Sequence, residues 1–268
     1  MFFQPRTIGE ALEHKARLGE KGVFIAGGTD LVVLMNHGKA APEHLIDLSH
    51  VAGITRIQNS GGKLELGGGV TFAQCARLPL RSLALAALSV GGPGIRELGT
   101  LAGNLATASP AGDGAAALLA LDAEVELCGS HGRRRLPLSE FFLGYRKTVL
   151  GGDELISRIF IPKSLRSDWA KIGKRGAMNI SIVAAAVALT PGRAVRIALA
   201  SVAPTPMRCL AAEQFLAHNG LEPDSIRQAA EIAQKQIKPI SDHRASADYK
   251  VHLTGVLVRR LLGGMSLQ

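Results

Sequence analysis

Cysteine is scarce in this sequence. Only Cys75, Cys128 and Cys209 occur among 268 residues, far apart along the chain and without a C-x-x-C pair. Three cysteines cannot all pair with one another, and this spacing is not that of a metal or iron–sulfur cluster site. The sequence therefore argues against a disulfide-stapled secreted protein and predicts buried, unreactive thiols in a reducing compartment.

Aromatic residues and long apolar runs are also lacking. Aromatic residues make up 4% of a chain that is 47% hydrophobic, so we expect alanine, leucine, valine and glycine to fill most of the core. The longest apolar run, IVAAAVAL at residues 182–189, is far too short for a membrane-spanning helix. The N-terminal residues lack the apolar segment of a signal peptide, and the eight histidines show no metal-ligand spacing. We predict a soluble, cytoplasmic protein without a membrane span or a metal site of its own.

The positive charge of the chain is dispersed. Its formal net charge is +9, which is compatible with an anionic ligand, an acidic partner or nucleic acid. Residues 133–135 (RRR) form the only basic run, and no aromatic residues interleave with them. A solvated loop or an edge strand is the favoured interpretation of this run, and we expect no nucleic-acid binding.

Hydrophobic periodicity predicts a mixed α and β chain. TIGE at residues 7–10 fits a capping box and predicts a helix that ends at Gly22. Two strands, VFIA and HLIDLS, are predicted after it, and LVVLM between them is a short helix or a buried strand. Further strands are predicted at residues 53–58, 63–69, 124–130, 134–138 and 154–162, and helices at 71–78, 80–90 and 115–123. We then expect a long antiparallel pair at residues 170–190 and 194–204, followed by helices at 209–218, 223–236 and 247–262.

A glycine-rich turn, AGGTDL at residues 26–31, separates two apolar segments. Glycine allows positive φ and lets a ligand approach the main chain. Free N–H groups in such a turn can cradle a phosphate. Thr29 can add a donor, whereas Asp30 would point away from a phosphate or cap the next helix. The alternative is a tight turn that needs glycine for its φ alone, and this loop by itself slightly favours that alternative.

A second glycine-rich segment, GTLAGNLATASPAGD at residues 99–113, carries neutral donors and acceptors. No regular element fits all of residues 91–114, and irregular segments of this length are uncommon without a function. Two such loops indicate one extended ligand, such as a dinucleotide, with an Ω-like surface loop as the alternative. Neither loop is the G-x-G-x-x-G of a Rossmann unit or the G-x-x-x-x-G-K-[ST] of a P-loop, so both of these classes are disfavoured.

Four motifs in this order, AGGTDL, GTLAGNLATASPAGD, LPLSEFFLGYRKT and KRGAMNISIV, resemble the FAD-binding medium subunit of the molybdenum hydroxylases, the xanthine dehydrogenase and carbon monoxide dehydrogenase type. The tail from SVAPTPMR to VRRLL is similar to the C-terminal domain of that family, so the resemblance covers essentially the whole chain. It implies an α+β fold: an FAD-binding fold of two α/β subdomains (PCMH/vanillyl-alcohol-oxidase type) and a C-terminal domain of antiparallel sheet and helices. The implied boundaries are residues 1–55, 56–164 and 165–268.

The resemblance implies FAD as the cofactor. The AGGTDL and TLAGN loops would cradle its pyrophosphate, and Leu155 and Lys171 would approach the flavin, where a lysine could stabilise the anionic reduced form. A solvated strand lysine is the alternative for Lys171. The chain departs from the family at Ala102, where glycine is usual, and at residues 97–98 (EL), where polar or basic residues are common. The implied FAD contacts are Ala26, Gly27, Gly28, Thr29, Asp30, Leu31, Gly99, Thr100, Gly103, Asn104, Thr107, Gly112, Asp113, Leu155 and Lys171.

The resemblance implies an electron-transfer subunit without a catalytic nucleophile, acid or base of its own. A large molybdopterin subunit would hydroxylate the substrate, and 2Fe–2S clusters of a small subunit would pass electrons to this FAD and on to NAD⁺, a quinone or oxygen. The expected assembly is a dimer of heterotrimers, with the molybdenum cofactor and the iron–sulfur clusters on the partner subunits. The alternatives are a stand-alone FAD-dependent oxidoreductase of the same wider fold and a non-catalytic nucleotide-binding module.

Overall fold

The computed structural model describes residues 1–162 and 166–266. The strands are β1 (Phe2–Phe3), β2 (Gly22–Ile25), β3 (His44–Asp47), β4 (Ile57–Ser60), β5 (Lys63–Gly67), β6 (Glu124–Gly129), β7 (Gly132–Pro137), β8 (Phe142–Gly144), β9 (Lys147–Thr148), β10 (Leu155–Pro162), β11 (Arg166–Ile172), β12 (Val183–Leu189), β13 (Val195–Ala200) and β14 (Met207–Arg208). The α-helices are α1 (Ile8–Leu18), α2 (Leu31–Asn36), α3 (Phe72–Cys75), α4 (Arg81–Ser89), α5 (Pro93–Leu98), α6 (Leu101–Thr107), α7 (Asp113–Ala120), α8 (Leu210–Asn219), α9 (Pro223–Gln236) and α10 (Ala247–Ser266).

Three main sheets follow one another along the chain. The first is parallel, with strand order β1-β3-β2. The second is antiparallel, with order β4-β5-β10-β6-β7, and the third is antiparallel, with order β11-β12-β13-β14. Strands β8 and β9 form a separate hairpin. The structure thus confirms the predicted mixture of a small α/β beginning, an α+β middle and a terminal sheet followed by helices.

The helix caps follow the sequence closely, although the bounds do not. Thr7 caps α1, because its hydroxyl accepts a hydrogen bond from the Glu10 N–H at 3.1 Å. This helix ends at Leu18 and a 3-10 turn fills residues 19–21, so the predicted stop at Gly22 is wrong. Thr71 caps α3 with a complete capping box, but α3 spans only four residues instead of reaching residue 78.

The segment at residues 91–114 is not an irregular loop, as the sequence had suggested. It contains α5, α6 and the start of α7, joined by short connections. Pro93 is accommodated at the first position of α5, where its missing N–H is not needed. Thr100 caps α6, and Ala108 ends that helix in the left-handed conformation, with φ +48°. Short helices interrupted by glycine and threonine carry little periodicity, which explains the error.

The third sheet separates two packing layers. Residues 184, 186 and 188 of β12 are alanines on one face, whereas Val183 and Val187 lie on the other. The alanine face packs against α7, and the opposite face is covered by α8, α9 and α10. Because both faces are buried, β12 is a continuous apolar run rather than an alternating one.

Helix α7 lies at the centre of the molecule. All eight of its residues are buried, and it contacts α4, α6, β12 and β13. One hydrophobic core joins side chains of the second sheet, such as Leu66 and Ile159, to the alanine face of the third sheet. The predicted division into residues 1–55, 56–164 and 165–268 stays a prediction.

The remaining expectations concern the arginine run, the cysteines and membrane spans. Residues 133–135 lie on β7, an edge strand, and each arginine pairs with a glutamate. All three cysteines are buried, and burial raises the pKa of Cys75 and of Cys209 to about 12. No helix in residues 1–162 and 166–266 is long and apolar enough to cross a bilayer.

Candidate functional site

A cavity of about 600 Å³ lies where the first and second sheets meet. This volume falls in the range of small-molecule and cofactor sites. Its walls come from the turn after β2, the end of β3, the glycines after β5, the junction of α5 and α6, and the start of β10. Six of the predicted FAD contacts line it: Ala26, Gly27, Gly28, Thr100, Gly103 and Leu155.

The first glycine turn, of which Ala26, Gly27 and Gly28 line this cavity, has backbone N–H groups without an acceptor among the described residues. Gly28 has φ +67°, a conformation that favours glycine. A Cβ on Gly27 would lie 1.8 Å from the carbonyl oxygen of Leu98, so the two glycine-rich segments touch through their backbones. Within the described part of the chain, the N–H groups of residues 27–30 donate no hydrogen bond to protein. These donors remain available to a ligand.

Hydrogen bonds within the second segment and to Val70 fix the start of α6. The hydroxyl of Thr100 accepts from the Gly103 N–H at 3.0 Å, and the Leu101 N–H donates to Val70 at 2.9 Å. Ala102, the departure from the family pattern, also lines the cavity. The Oδ1 atom of Asn104 is buried and has no hydrogen-bond partner among the described residues. Asn104, a predicted FAD contact, does not line the cavity.

Asp30 and Thr107, both predicted FAD contacts, join the two segments instead of lining the cavity. Asp30 is the N-cap residue of α2, but its side chain makes no capping hydrogen bond. Its carboxylate accepts from the Thr107 hydroxyl at 2.6 Å. Thr29, Leu31 and Gly99 also lie in these segments without lining the cavity.

Gly112, Asp113 and Lys171 lie outside the cavity lining. The Lys171 ammonium is 2.7 Å from an Asp113 carboxylate oxygen, and the two side chains are 9% and 8% exposed. Lys171 also donates to the carbonyl oxygens of Ser89 and Asn179, at 3.0 and 3.2 Å. The structure therefore makes Lys171 a buried, paired cation and not a solvated strand lysine. Its assignment to the flavin stays a prediction.

The cavity lining contains carboxylates but, among the described residues, no lysine, arginine or histidine. Asp47 accepts from the N–H and the hydroxyl of Ser49, both at 2.9 Å. Glu154 accepts two hydrogen bonds from Arg134, each 2.7 Å long, and these hold the pKa of Glu154 below its usual value. Glu97 is exposed at the cavity. Phosphates bound here would be held by backbone N–H groups and hydroxyls.

Sequence reasoning missed the glycine triplet at residues 67–69. A Cβ on Gly68 would lie 2.1 Å from the Ile156 carbonyl oxygen, and one on Gly67 would lie 2.2 Å from the Ile54 carbonyl oxygen. Gly68 and Gly69 line the cavity, as do residues 47–49 and 54–55. Three consecutive glycines were the available signal, but the sequence pattern predicts only a strand at residues 63–69.

These residues fit a flavin dinucleotide. Free backbone donors at residues 27–30 suit a pyrophosphate, because they offer hydrogen bonds without a fixed counter-charge. The apolar wall at Leu155 and Ile156 suits an aromatic ring. The site thus has the composition expected of a protein that binds and orients a cofactor.

Two family models cover the chain. The FAD binding domain in molybdopterin dehydrogenase matches residues 1–164, and the CO dehydrogenase flavoprotein C-terminal domain matches residues 169–265. The carbon monoxide dehydrogenase medium chain of Hydrogenophaga pseudoflava is 32% identical, over 97% of this chain and 95% of the relative. The xanthine dehydrogenase FAD-binding subunit of Escherichia coli O157:H7 is 30% identical, over 97% and 94%. A solved carbon monoxide dehydrogenase from Hydrogenophaga pseudoflava superposes with a TM-score of 0.90 at 32% identity, over 98% of this chain and 95% of that chain.

The chain therefore belongs to the family of FAD-binding subunits of molybdenum hydroxylases. It is a flavoprotein subunit of a molybdenum-containing dehydrogenase, an oxidoreductase, and FAD is its own cofactor. Molybdenum and iron–sulfur centres sit on other subunits of such enzymes, and the relatives belong to complexes with large and small subunits. The predicted fold class, cofactor and family are confirmed.

Proposed function

We propose that this chain carries electrons from 2Fe–2S clusters of a small partner subunit to NAD⁺, a quinone or oxygen. Bound FAD supplies the chemistry that links one-electron input to two-electron output. The chain's own residues bind, orient and tune the cofactor. The observation that carries the FAD-binding part of the proposal is the row of N–H groups at residues 27–30, which donate to no described residue, beside the backbone contact of Gly27 with Leu98.

The proposed binding mode uses the backbone for the phosphates and side chains for the rest. Residues 26–31 would hold one side of the pyrophosphate, and Thr100, Gly103 and Asn104 the other. Leu155 would pack against the flavin, and Lys171 would place a positive charge near it. Because no cation lines the cavity among the described residues, the AGGTDL turn is the main determinant of phosphate binding in this proposal.

The proposed assembly is a dimer of heterotrimers in the cytoplasm. It joins this chain to an iron–sulfur small subunit and a molybdopterin large subunit. Support comes from the relatives, which are medium chains or FAD-binding subunits of larger enzymes. The choice of substrate would belong to the large subunit, since this chain contributes a cofactor site alone.

The test is to express the full chain together with its candidate small and large subunits and to purify the complex by an affinity tag on this chain. We expect flavin absorption, additional broad iron–sulfur absorption, and molybdenum by elemental analysis. Stopped-flow measurements should then show the flavin reduced after the iron–sulfur centres when substrate is added. Flavin in an isolated chain that oxidises an organic substrate unaided would favour the stand-alone flavoprotein instead. A folded chain that binds no added FAD would overturn the proposal at its centre.

A further inference from the structure

An ionic cluster joins the segment before α10 to Lys250 near the start of that helix. Lys250 is 1% exposed, and its ammonium donates to the Ile240 carbonyl at 2.8 Å and to the Asp242 carboxylate at 2.9 Å. Asp242 also accepts from the Arg244 guanidinium at 2.6 Å. Burial opposes ionisation of Asp242, but the hydrogen bonds from Arg244 and Lys250 outweigh it and hold the pKa of Asp242 well below its usual value.

This cluster is connected to the second glycine-rich segment through Ser181. The Arg244 guanidinium donates to the Ser181 carbonyl at 3.2 Å, and the fully buried Ser181 hydroxyl donates to Asp113 at 2.6 Å. The other oxygen of Asp113 accepts from Lys171 at 2.7 Å. An unbroken chain of polar contacts therefore runs from the C-terminal helical layer to the Asp113–Lys171 pair.

A second contact ties the same region down. Ser201 follows β13 with φ +67°, a left-handed conformation that non-glycine residues rarely adopt. Its N–H donates to the Pro110 carbonyl at 2.8 Å, and its hydroxyl donates to the Ser181 carbonyl at 3.0 Å. Residues 110–113 are thus held from the third sheet at two points. A backbone strained in this way persists only where its surroundings enforce it.

We propose that Ser181 and Arg244 are positioning residues that hold Asp113, and through it Lys171, in place toward FAD. The inference rests on the proposed function, which assigns Asp113 and Lys171 to the cofactor. A fixed ammonium near the flavin favours the negatively charged reduced form. Without the Ser181 hydrogen bond, the side-chain donors to Asp113 among the described residues are the Ser89 hydroxyl at 3.1 Å and Lys171. The carboxylate then depends more on Lys171 for neutralisation and draws that ammonium away from the cofactor.

The test is the midpoint potential of the FAD-loaded full-length Ser181→Ala variant, measured by equilibrium reductive titration. We expect reduced FAD to bind about tenfold less tightly relative to oxidised FAD, which is a fall of about 30 mV for a two-electron couple. Ser82→Ala is the matched control, because Ser82 is equally buried and its hydroxyl has no partner within the described residues. Arg244→Gln breaks the same chain of contacts at its other end and serves if Ser181→Ala does not fold.

Lys171→Gln separates this inference from the proposed function. A lower potential in Lys171→Gln and in Ser181→Ala or Arg244→Gln, with Ser82→Ala unchanged, supports the inference. A lower potential in Lys171→Gln alone overturns the inference and leaves the proposed FAD placement standing. Unchanged potentials in all of these variants overturn the inference together with the placement of Lys171 at the flavin.

Discussion

Gly28→Asp tests the proposed phosphate cradle most directly, because the chain offers a matched control for it. Gly28 and Gly38 flank opposite ends of α2 and share φ +67°. Gly28 lines the cavity, whereas a Cβ on Gly38 would meet nothing within 4 Å. Both aspartates add one negative charge and adopt the same left-handed backbone, at a cost of about 1–2 kcal/mol each. The strain therefore cancels in the comparison.

The two variants should differ in their affinity for FAD, because only the carboxylate at position 28 would lie beside a phosphate. A carboxylate about 4 Å from a phosphate charge costs about 4 kcal/mol at an effective dielectric constant of 20. That corresponds to a roughly 1000-fold weaker affinity for FAD. Gly28→Asp also brings its Cβ to 3.1 Å from Val32 Cγ2, so this side chain must yield by a few tenths of an ångström. We expect the shift of Val32 to add little to the loss of stability of Gly28→Asp.

The assay is a titration of the folded apoprotein with FAD, followed by flavin fluorescence, with denaturant unfolding measured in parallel. Gly38→Asp should bind FAD like the wild type. Gly28→Asp should unfold at a similar denaturant concentration to Gly38→Asp and fail to retain FAD. Equal FAD affinity in the two folded variants would refute the assignment of the cavity to the pyrophosphate.

Three further predictions concern packing and titration. Gly27→Ala places a methyl group against the Leu98 carbonyl oxygen and should lower the free energy of unfolding by about 1–3 kcal/mol in denaturant titrations. The control Gly94→Ala has open space around the new methyl group and should not lower it. Equal stabilities of the two variants would contradict the contact between Gly27 and Leu98. Because the folded-state pKa of Glu154 is depressed, its ionic contribution is complete above the ordinary glutamate pKa of about 4.3 and is lost as the pH falls through the folded-state value. Glu154→Gln should therefore flatten the acid loss of stability, and an unchanged pH profile would argue against that hydrogen bonding. Cys75 and Cys209 should resist a maleimide at pH 8 until denaturant is added, and native labelling at either thiol would contradict their burial.

The sequence predicted the start of a helix well where one side chain determines it. The predicted helix at residues 223–236 matches α9 in both bounds. Its start was predictable because a proline such as Pro223 fits only the first turn of a helix. Thr7 and Thr71 were identified as caps because their hydroxyls satisfy N–H groups three residues later. The lengths of α1 and α3 were not predictable in this way, because tertiary packing decides where the following backbone leaves the helix.

The candidate site was only partly predictable because its contacts join distant parts of the chain. Glycines at 27 and 28 predicted a backbone site, but that Gly27 faces the Leu98 carbonyl emerges only from the fold. The sequence offered Asp113 and Lys171 by resemblance, and their pairing with each other could not be inferred from spacing. Glycines 67–69 were the available signal for this part of the site, but an ambiguous one, since strand ends also carry glycine.

The packing of α7 against the alanine face of the third sheet has a consequence for where the chain can be divided into independent pieces. Helix α7 and the alanines of β12 belong to one hydrophobic core, so each helps to shield the other from water. The two family models meet between residues 164 and 169, yet this packing crosses that junction. A chain cut there would separate α7 from β12 and expose apolar side chains that the shared core now buries. We therefore expect the two pieces to regain a stable structure only when they are supplied together.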